Sequence, residues 1–338
     1  MLKRIATIAA VAALGLGAAA AQAQDKVRIS FNPQIYSWLP LYIAVDKGYF
    51  KEQKLDVEVI TYGGSALTQI PMLARGDQDI AGMVTGPGFF NQYAEGFGIK
   101  LIASNAQAQK GWHDTMWLMI RKDVWDSGKI KTFADLKGMT IELGPKGSPV
   151  YLTSTQVIEQ SGLKPGDIKT QERLRAVTDA LPLFKNKAMD AITMVEPIVG
   201  RLVSEGLAVR WKPSYEIMPW FQESYLAANP KFLTEKRDVT KRFLKAYLKA
   251  VKEITDANGK WTPDTLASVV KWSKFPKDVI EKIPGPQHVG QMGKIDLASI
   301  ERQQKIWMDA GLVKEKRPLS EMVDTSIIDE VRKEMGIQ

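Results

Sequence analysis

The sequence predicts an α/β protein of two similar lobes, each a mostly parallel sheet flanked by helices. Three observations lead there. Strand-like and helix-like segments alternate through the first two thirds of the chain, the pattern of repeated βαβ units. The alternation then restarts, so a second stretch repeats the grammar of the first. Short turns rich in Gly, Ser and Pro stand at strand-to-helix joints in both stretches.

Each element has a local reason. Val27 to Phe31 alternates apolar and polar residues, as a half-buried strand does. Leu39 to Asp46 suits a helix that ends before Gly48, and Leu55 to Ile60 is a second strand. Gly63-Gly64-Ser65 leads into a helix over Ala66 to Arg75, and Asp79 to Val84 is a third strand running into Thr85-Gly86-Pro87-Gly88 and another helix. The pattern restarts with a strand at Met116 to Ile120, a short helix at Phe133 to Leu136, and a strand at Met139 to Leu143. Gly147-Ser148-Pro149 opens a helix over Val150 to Gln160. Asp190 to Val195 is a further strand, with Glu196-Pro197 starting the next helix. The halves echo one another: Pro71 and Asp79 precede one apolar strand, and Pro182 and Asp190 precede another at the same spacing. In the last third, Phe243, Leu244, Tyr247, Leu248, Val251 and Ile254 share one helix face, and Ile295 to Ala310 is a second amphipathic segment. No low-complexity linker divides these parts. The expected organisation is a leader over 1–23, a first lobe begun by 24–114, a second lobe over 115–221, and a return to the first lobe with C-terminal helices over 222–338.

Composition narrows the class. Lys3 and Arg4, an apolar run from Ile5 to Ala21 and the small-x-small pattern Ala21-Gln22-Ala23 read as a cleavable signal peptide and therefore export to the periplasm. The run is short for a spanning helix, which needs about 20 apolar residues. The formal charge of +8 becomes +6 once Lys3 and Arg4 are removed. The cations are scattered among acids, with no block that would suit nucleic acid. The chain has no cysteine, which removes thiol nucleophiles, thiolate metal sites and disulfides. Its two histidines, His113 and His288, have no second ligand at metal spacing, and neither a nucleophile elbow nor a phosphate-binding loop is present. No cofactor, metal site or enzymatic activity is expected, and the chain is expected to act as a monomer.

The strand-to-helix turns carry the functional signal. In open α/β sheets ligands bind beyond the carboxyl ends of the strands. A helix N-terminus there offers unpaired N–H groups and partial positive charge to an anion. The candidate contacts are Gly64 and Ser65, Thr85 and Gly86, and Gly147 and Ser148; each turn also reads as a simple helix cap. Aromatic residues near the same ends, Tyr36, Trp38, Trp112 and Trp220, could wall the apolar body of a ligand or serve packing alone. Glu196 could accept from a ligand N–H or cap the helix that follows it. Helix termini suit an anionic group and aromatics suit a body larger than an inorganic ion. The expected ligand is a small organic anion or zwitterion: a sulfonate, a taurine-like compound or an aromatic carboxylate. A heteroaromatic vitamin precursor is the alternative.

The segment Leu41 to Glu52, with its Ala44-x-x-x-Gly48-Tyr49-Phe50 core, resembles nitrate-, sulfonate- and taurine-binding proteins of ABC importers, the group that includes NMT1/THI5-like domains. Val57-Glu58-Val59, Leu73-Ala74-Arg75-Gly76 with Asp79, Asp135-Leu136-Lys137-Gly138, and Ile306 to Leu312 follow in the order the group shows. The resemblance implies a type II periplasmic binding fold that closes on its ligand like a hinged clamp, with a membrane permease and an ATPase as partners. It implies ligand contacts at Tyr36, Trp38, Gly64, Ser65, Thr85, Gly86, Gly147 and Ser148, and leaves the ligand open. Pyrimidine synthases of the same superfamily act inside cells and carry a cysteine-rich motif, which the export segment and the missing cysteines contradict. A sensor module feeding a membrane receptor remains compatible with the sequence.

Overall fold

A computed structural model describes residues 24–337. The signal peptide expected over 1–23 lies outside the described residues. The strands are β1 (Asp25–Phe31), β2 (Leu55–Thr61), β3 (Ile80–Val84), β4 (Lys100–Gln107), β5 (Met116–Arg121), β6 (Thr140–Glu142), β7 (Lys169–Gln171), β8 (Ala191–Val195), β9 (Ala208–Pro213) and β10 (Gln222–Ala228). They make two five-stranded sheets, ordered β2-β1-β3-β10-β4 and β7-β6-β8-β5-β9. Each sheet is the centre of one lobe. In both, four strands share a direction and the fourth in order opposes them. That opposed strand, β5 or β10, is the one by which the chain enters the sheet after crossing from the other lobe. The lobes therefore repeat one topology.

The echo between the halves has a structural cause. Asp79 donates its N–H to the Arg28 carbonyl and accepts the Arg28 N–H on its carboxylate, at 2.9 and 2.8 Å. Asp190 does the same with Thr140, at 2.8 and 2.7 Å. In each lobe an aspartate leading into the third parallel strand thus locks the register of the first. Arg28 and Arg121 neutralise these carboxylates at 2.8 and 2.6 Å.

Two segments connect the lobes, one between Gln107 and Met116, the other between Pro213 and Gln222. They are stitched side by side. The buried Asp114 carboxylate accepts from Met116 N–H, the Ser214 hydroxyl and Tyr215 N–H at 2.8–3.1 Å. Ala108 N–H donates to the Phe221 carbonyl at 3.0 Å. A third tie comes from the C-terminal third, where Ile283 lies against Gly200 of the second lobe.

The amphipathic stripe Phe243 to Ile254 lies on the helix Arg237–Asp256, and its six apolar side chains are buried. It packs against the helix Leu39–Asp46, and the Phe243 ring stacks on Phe50 at 4.8 Å. The helix Leu297–Asp309 covers the first lobe, where Gln303 joins Thr85 to the β10 backbone. Two expectations need adjustment. The helix expected over Ala66 to Arg75 is a 3₁₀ turn, Ala66–Gln69, followed by a short helix Ile70–Arg75. Strands β4, β7, β9 and β10 have no counterpart in the sequence reading.

Candidate ligand site between the lobes

A cavity of about 120 Å³ opens between the sheets at the carboxyl ends of their parallel strands. At about 10–15 Å³ per water-sized group, it holds roughly ten such groups, the size of a small organic molecule. The first lobe contributes Asn32, Trp38, Tyr62, Gly64, Ser65, Val84, Glu223 and Ser224 to its wall. The second lobe contributes Ser148, Pro149, Val150, Arg175, Val177 and Val195.

The polar groups in this wall are few and placed by secondary structure. Ser148 caps the helix Pro149–Ser161, its Oγ accepting from Tyr151 N–H at 3.1 Å. Its hydroxyl proton stays available, and Val150 N–H, in the first turn, has no intrahelical partner. Ser65 caps its 3₁₀ turn in the same way, accepting from Leu67 N–H at 3.3 Å. Trp38 lies flat against the backbone of β3 at Gly82. Its indole Nε1 and the neighbouring Ser37 Oγ are buried without a hydrogen-bond partner. Buried donors in a native fold are almost always satisfied, so both await a partner the protein does not supply.

Charge in the wall is balanced. Among the described residues, Arg175 is its one basic and Glu223 its one acidic side chain. Arg175 is exposed at the cavity edge. Glu223 is buried at the start of β10, where it accepts a short hydrogen bond on Oε2 from the Thr115 hydroxyl. Burial, together with the nearby Asp114 charge, pushes its carboxyl up to about 7, against the pull of the Thr115 bond. Among the described residues no group of three or more His, Cys, Asp or Glu side chains could hold a metal ion.

The candidates from the sequence divide accordingly. Trp38, Gly64, Ser65 and Ser148 meet in the cavity wall. The other seven stand outside it. Tyr36 is fully buried, its hydroxyl donating to the Gly285 carbonyl at 3.4 Å and its ring edge-on to Trp261. Thr85 donates to Gln303 at 2.5 Å. Trp112 packs on Gly259 and edge-on to His288. Trp220 meets Phe221 and carries the Arg302 guanidinium over its face at 4.4 Å. Glu196 is saturated within its own lobe: Oε1 accepts from Arg210 at 2.8 Å and lies 3.1 Å from His113 Nε2, while Oε2 accepts Gly200 N–H at 2.8 Å. Of its two readings, the helix-facing one matches these bonds. Gly86 and Gly147 face each other across the lobes. A Cβ on Gly86 would overlap the Gly147 carbonyl oxygen, and one on Gly147 would come 3.0 Å from Pro87 Cδ. These glycines let the lobes touch at the cavity rim.

Sequence reasoning did not single out Arg175 or Glu223. Arg175 sits in an irregular loop with no motif around it. Glu223 had a faint signal: Gln222-Glu223-Ser224 is a polar triplet inside an otherwise apolar and aromatic run.

Comparison with known proteins agrees with this fold. The family model described as NMT1/THI5-like matches residues 36–258. The chain belongs to that family. Among curated proteins, a putative binding protein, YtlA of Bacillus subtilis (strain 168), is 25% identical over 323 residues, covering 91% of this chain and 90% of that one. The solved alkanesulfonate-binding protein SsuA of Xanthomonas axonopodis pv. citri, bound to MOPS, aligns with a TM-score of 0.67 at 17% identity, over 89% of this chain and 98% of its own. The desulfurization enzyme DszB aligns at 0.65 and 13% identity, over 92% of this chain and 99% of its own. The NMT1/THI5-like family membership and the shared two-lobe fold are thus established together. The presence of both a binding protein and an enzyme among the fold's users leaves activity to be argued from the site.

Proposed function

We propose that this chain is the exported solute-binding component of an ABC importer and captures a small organic anion or zwitterion by closing its lobes. A sulfonate, a taurine-like compound or an aromatic carboxylate suits the cavity. One observation carries the reading. The cavity is apolar in body, with anion-directed donors from both lobes: Arg175, Ser148 and the helix terminus at Val150 from one side, Ser65 and the unpartnered Trp38 Nε1 from the other. A ligand touching both lobes favours the closed arrangement by the contacts it makes only there. The names of the similar SsuA and YtlA proteins, a sulfonate binder and a putative binding protein, support the class.

The cavity's chemistry supports binding without turnover. The chain has no cysteine, and neither histidine stands in the cavity wall to activate one of its serines. In this reading the leader over 1–23 delivers the chain to the periplasm, where a permease and an ATPase receive the loaded form. A thermal-shift and calorimetry screen of the mature chain tests this. Sulfonates and carboxylates of up to about ten heavy atoms are expected to raise the melting temperature and to bind without being altered. Indifference to all of them, or conversion of a bound one, contradicts the reading.

A further inference from the structure

We propose that Tyr151 and Trp307 form an aromatic clasp between the lobes, which holds them together once they have closed and so sets the rate at which a bound solute leaves. The inference rests on the reading of capture by closure and adds to it two residues that stand outside the cavity wall.

Three observations carry it. First, the two rings belong to different lobes and stack on one another. Tyr151 stands on the second-lobe helix Pro149–Ser161 and Trp307 on the first-lobe helix Leu297–Asp309; their centroids are 6.1 Å apart, with 29° between the ring planes. Rings on the crossings apart, no other aromatic pair among the described residues spans the lobes. Second, each ring is fixed from its own side. Trp307 is fully buried, and its carbonyl accepts from Leu312 and Val313 N–H at 2.9 and 3.2 Å. One turn earlier on its helix, Gln303 is tied to Thr85 and to the Gln222 carbonyl. Tyr151 N–H donates to Ser148 Oγ, and Ser148 lines the cavity. Third, the pair adjoins the bare contact at the rim. Gly147 lies just ahead of Tyr151 in the chain, and Gly86 follows the Thr85 that the helix of Trp307 holds. Gly86 and Gly147 bring backbone to backbone with no side chain to interlock; the two rings supply that hold.

The kinetic consequence follows from where the attraction acts. A stacked pair adds to the apolar area it covers an attraction that shifts an equilibrium by up to about tenfold. That attraction exists only while the lobes are together, so it favours the closed arrangement and leaves the open one unchanged. A solute enters the open arrangement and leaves by way of it. The clasp therefore slows reopening without slowing entry. Ser148 couples the two events, because a solute on its hydroxyl steadies the turn that carries the Tyr151 ring. The indole Nε1 of Trp307 is buried without a partner, so what this side chain offers Tyr151 is its face.

The test is stopped-flow tryptophan fluorescence of the mature protein with ethanesulfonate, propanesulfonate and benzoate as probes. For each probe that binds, Tyr151→Ala is expected to raise koff about tenfold and to leave kon within about twofold of the wild type. Tyr151→Phe keeps the ring and is expected to stay within about twofold in both rates. Trp307→Leu, which removes the ring and no hydrogen bond of its Nε1, is expected to raise koff as Tyr151→Ala does. The double variant is expected to go no further than the larger single effect, since either loss already breaks the pair; two separate structural defects would multiply. Where Trp307→Leu does not fold, Tyr151→Ala against Tyr151→Phe decides alone. If the probes bind and Tyr151→Ala releases them at the wild-type rate, if it lowers kon instead, or if the two effects multiply, the clasp is overturned and the capture reading stands. If no probe binds the wild type, both fall.

Discussion

At the scale of single residues, Glu223 and Trp38 stand out, one as a buried carboxyl and the other as a buried donor that no group among the described residues meets. The Glu223 carboxyl is raised from its ordinary value to about 7 by burial, so the folded state holds a proton there that the unfolded chain gives up above about 4.5. This group favours folding fully below the unfolded value, and the advantage is lost as pH rises through about 7. Glu223→Gln, neutral throughout, is therefore expected to melt near the wild type at pH 5 and higher than the wild type at pH 8. The gap is bounded at about 3 kcal/mol by the size of the shift. Thermal melts of the ligand-free protein at the two pH values measure it; equal gaps at both would show that Glu223 does not titrate as described. Trp38 contributes a donor as well as a surface. Trp38→Phe removes Nε1 and also the outer indole atoms Cζ3 and Cη2 that lie nearest Gly82, and is expected to weaken ligand binding about fivefold with a lowered melting temperature from the space left in the core.

At the scale of elements, the helix Arg237–Asp256 shows what the sequence makes legible. Its apolar positions recur at helical spacing over twenty residues, and the same positions are buried against the helices around it. Phe243, fully buried and stacked on Phe50, anchors the stripe. Phe243→Ala is expected to cost about 3–5 kcal/mol in chemical denaturation without altering the affinity of what still folds. The parallel strands were legible for a similar reason, since apolar runs bounded by Gly, Pro and Asp have few other readings. Strand β10 was not. Every residue from Gln222 to Ala228 is buried, so the two-residue period vanishes, and its polar members bond to partners far along the chain. Gln222 donates toward the Lys294 carbonyl and receives Asp296 N–H, and Ser224 receives from Asn105, contacts no local pattern announces. The site divides in the same way. Ser65, Ser148 and Trp38 follow turn and strand-end signals that act over three or four residues. Arg175 and Glu223 reach the cavity only through the packing of one lobe on the other. Trp112 and Trp220 stand outside the cavity wall, a distinction the sequence does not carry because a tryptophan near a strand end looks the same whether it lines a cavity or packs on a neighbouring segment.

At the scale of the whole molecule, the repeated lobe is the device. Each sheet carries its register-locking aspartate and its own opposed strand, and the two crossings between the lobes lie side by side, held by Asp114. Contact at the rim is made by Gly86 and Gly147. Gly86 has an extended backbone, φ −178°, which any residue can adopt. The nearest atoms to a Cβ there are the Gly147 carbonyl group of the opposite lobe and the flexible end of Leu67. Gly86→Val is therefore expected to fold normally but to resist closure. Small-angle scattering checks this: ligand is expected to shrink the wild type's radius of gyration and to leave the variant's unchanged, with weaker binding. Equal contraction in both would remove closure at this contact from the mechanism.

The central claim is that donors from both lobes hold one ligand at once. Calorimetric titration of Arg175→Ala alongside Trp38→Phe, with the tightest-binding anion from the screen, tests it most directly. Each substitution, on its own lobe, is expected to weaken binding, by about tenfold or more for Arg175→Ala because a charge-assisted contact is lost. Undiminished affinity in Arg175→Ala, with only the first-lobe variant affected, would mean that the ligand sits on one lobe alone and would contradict the account.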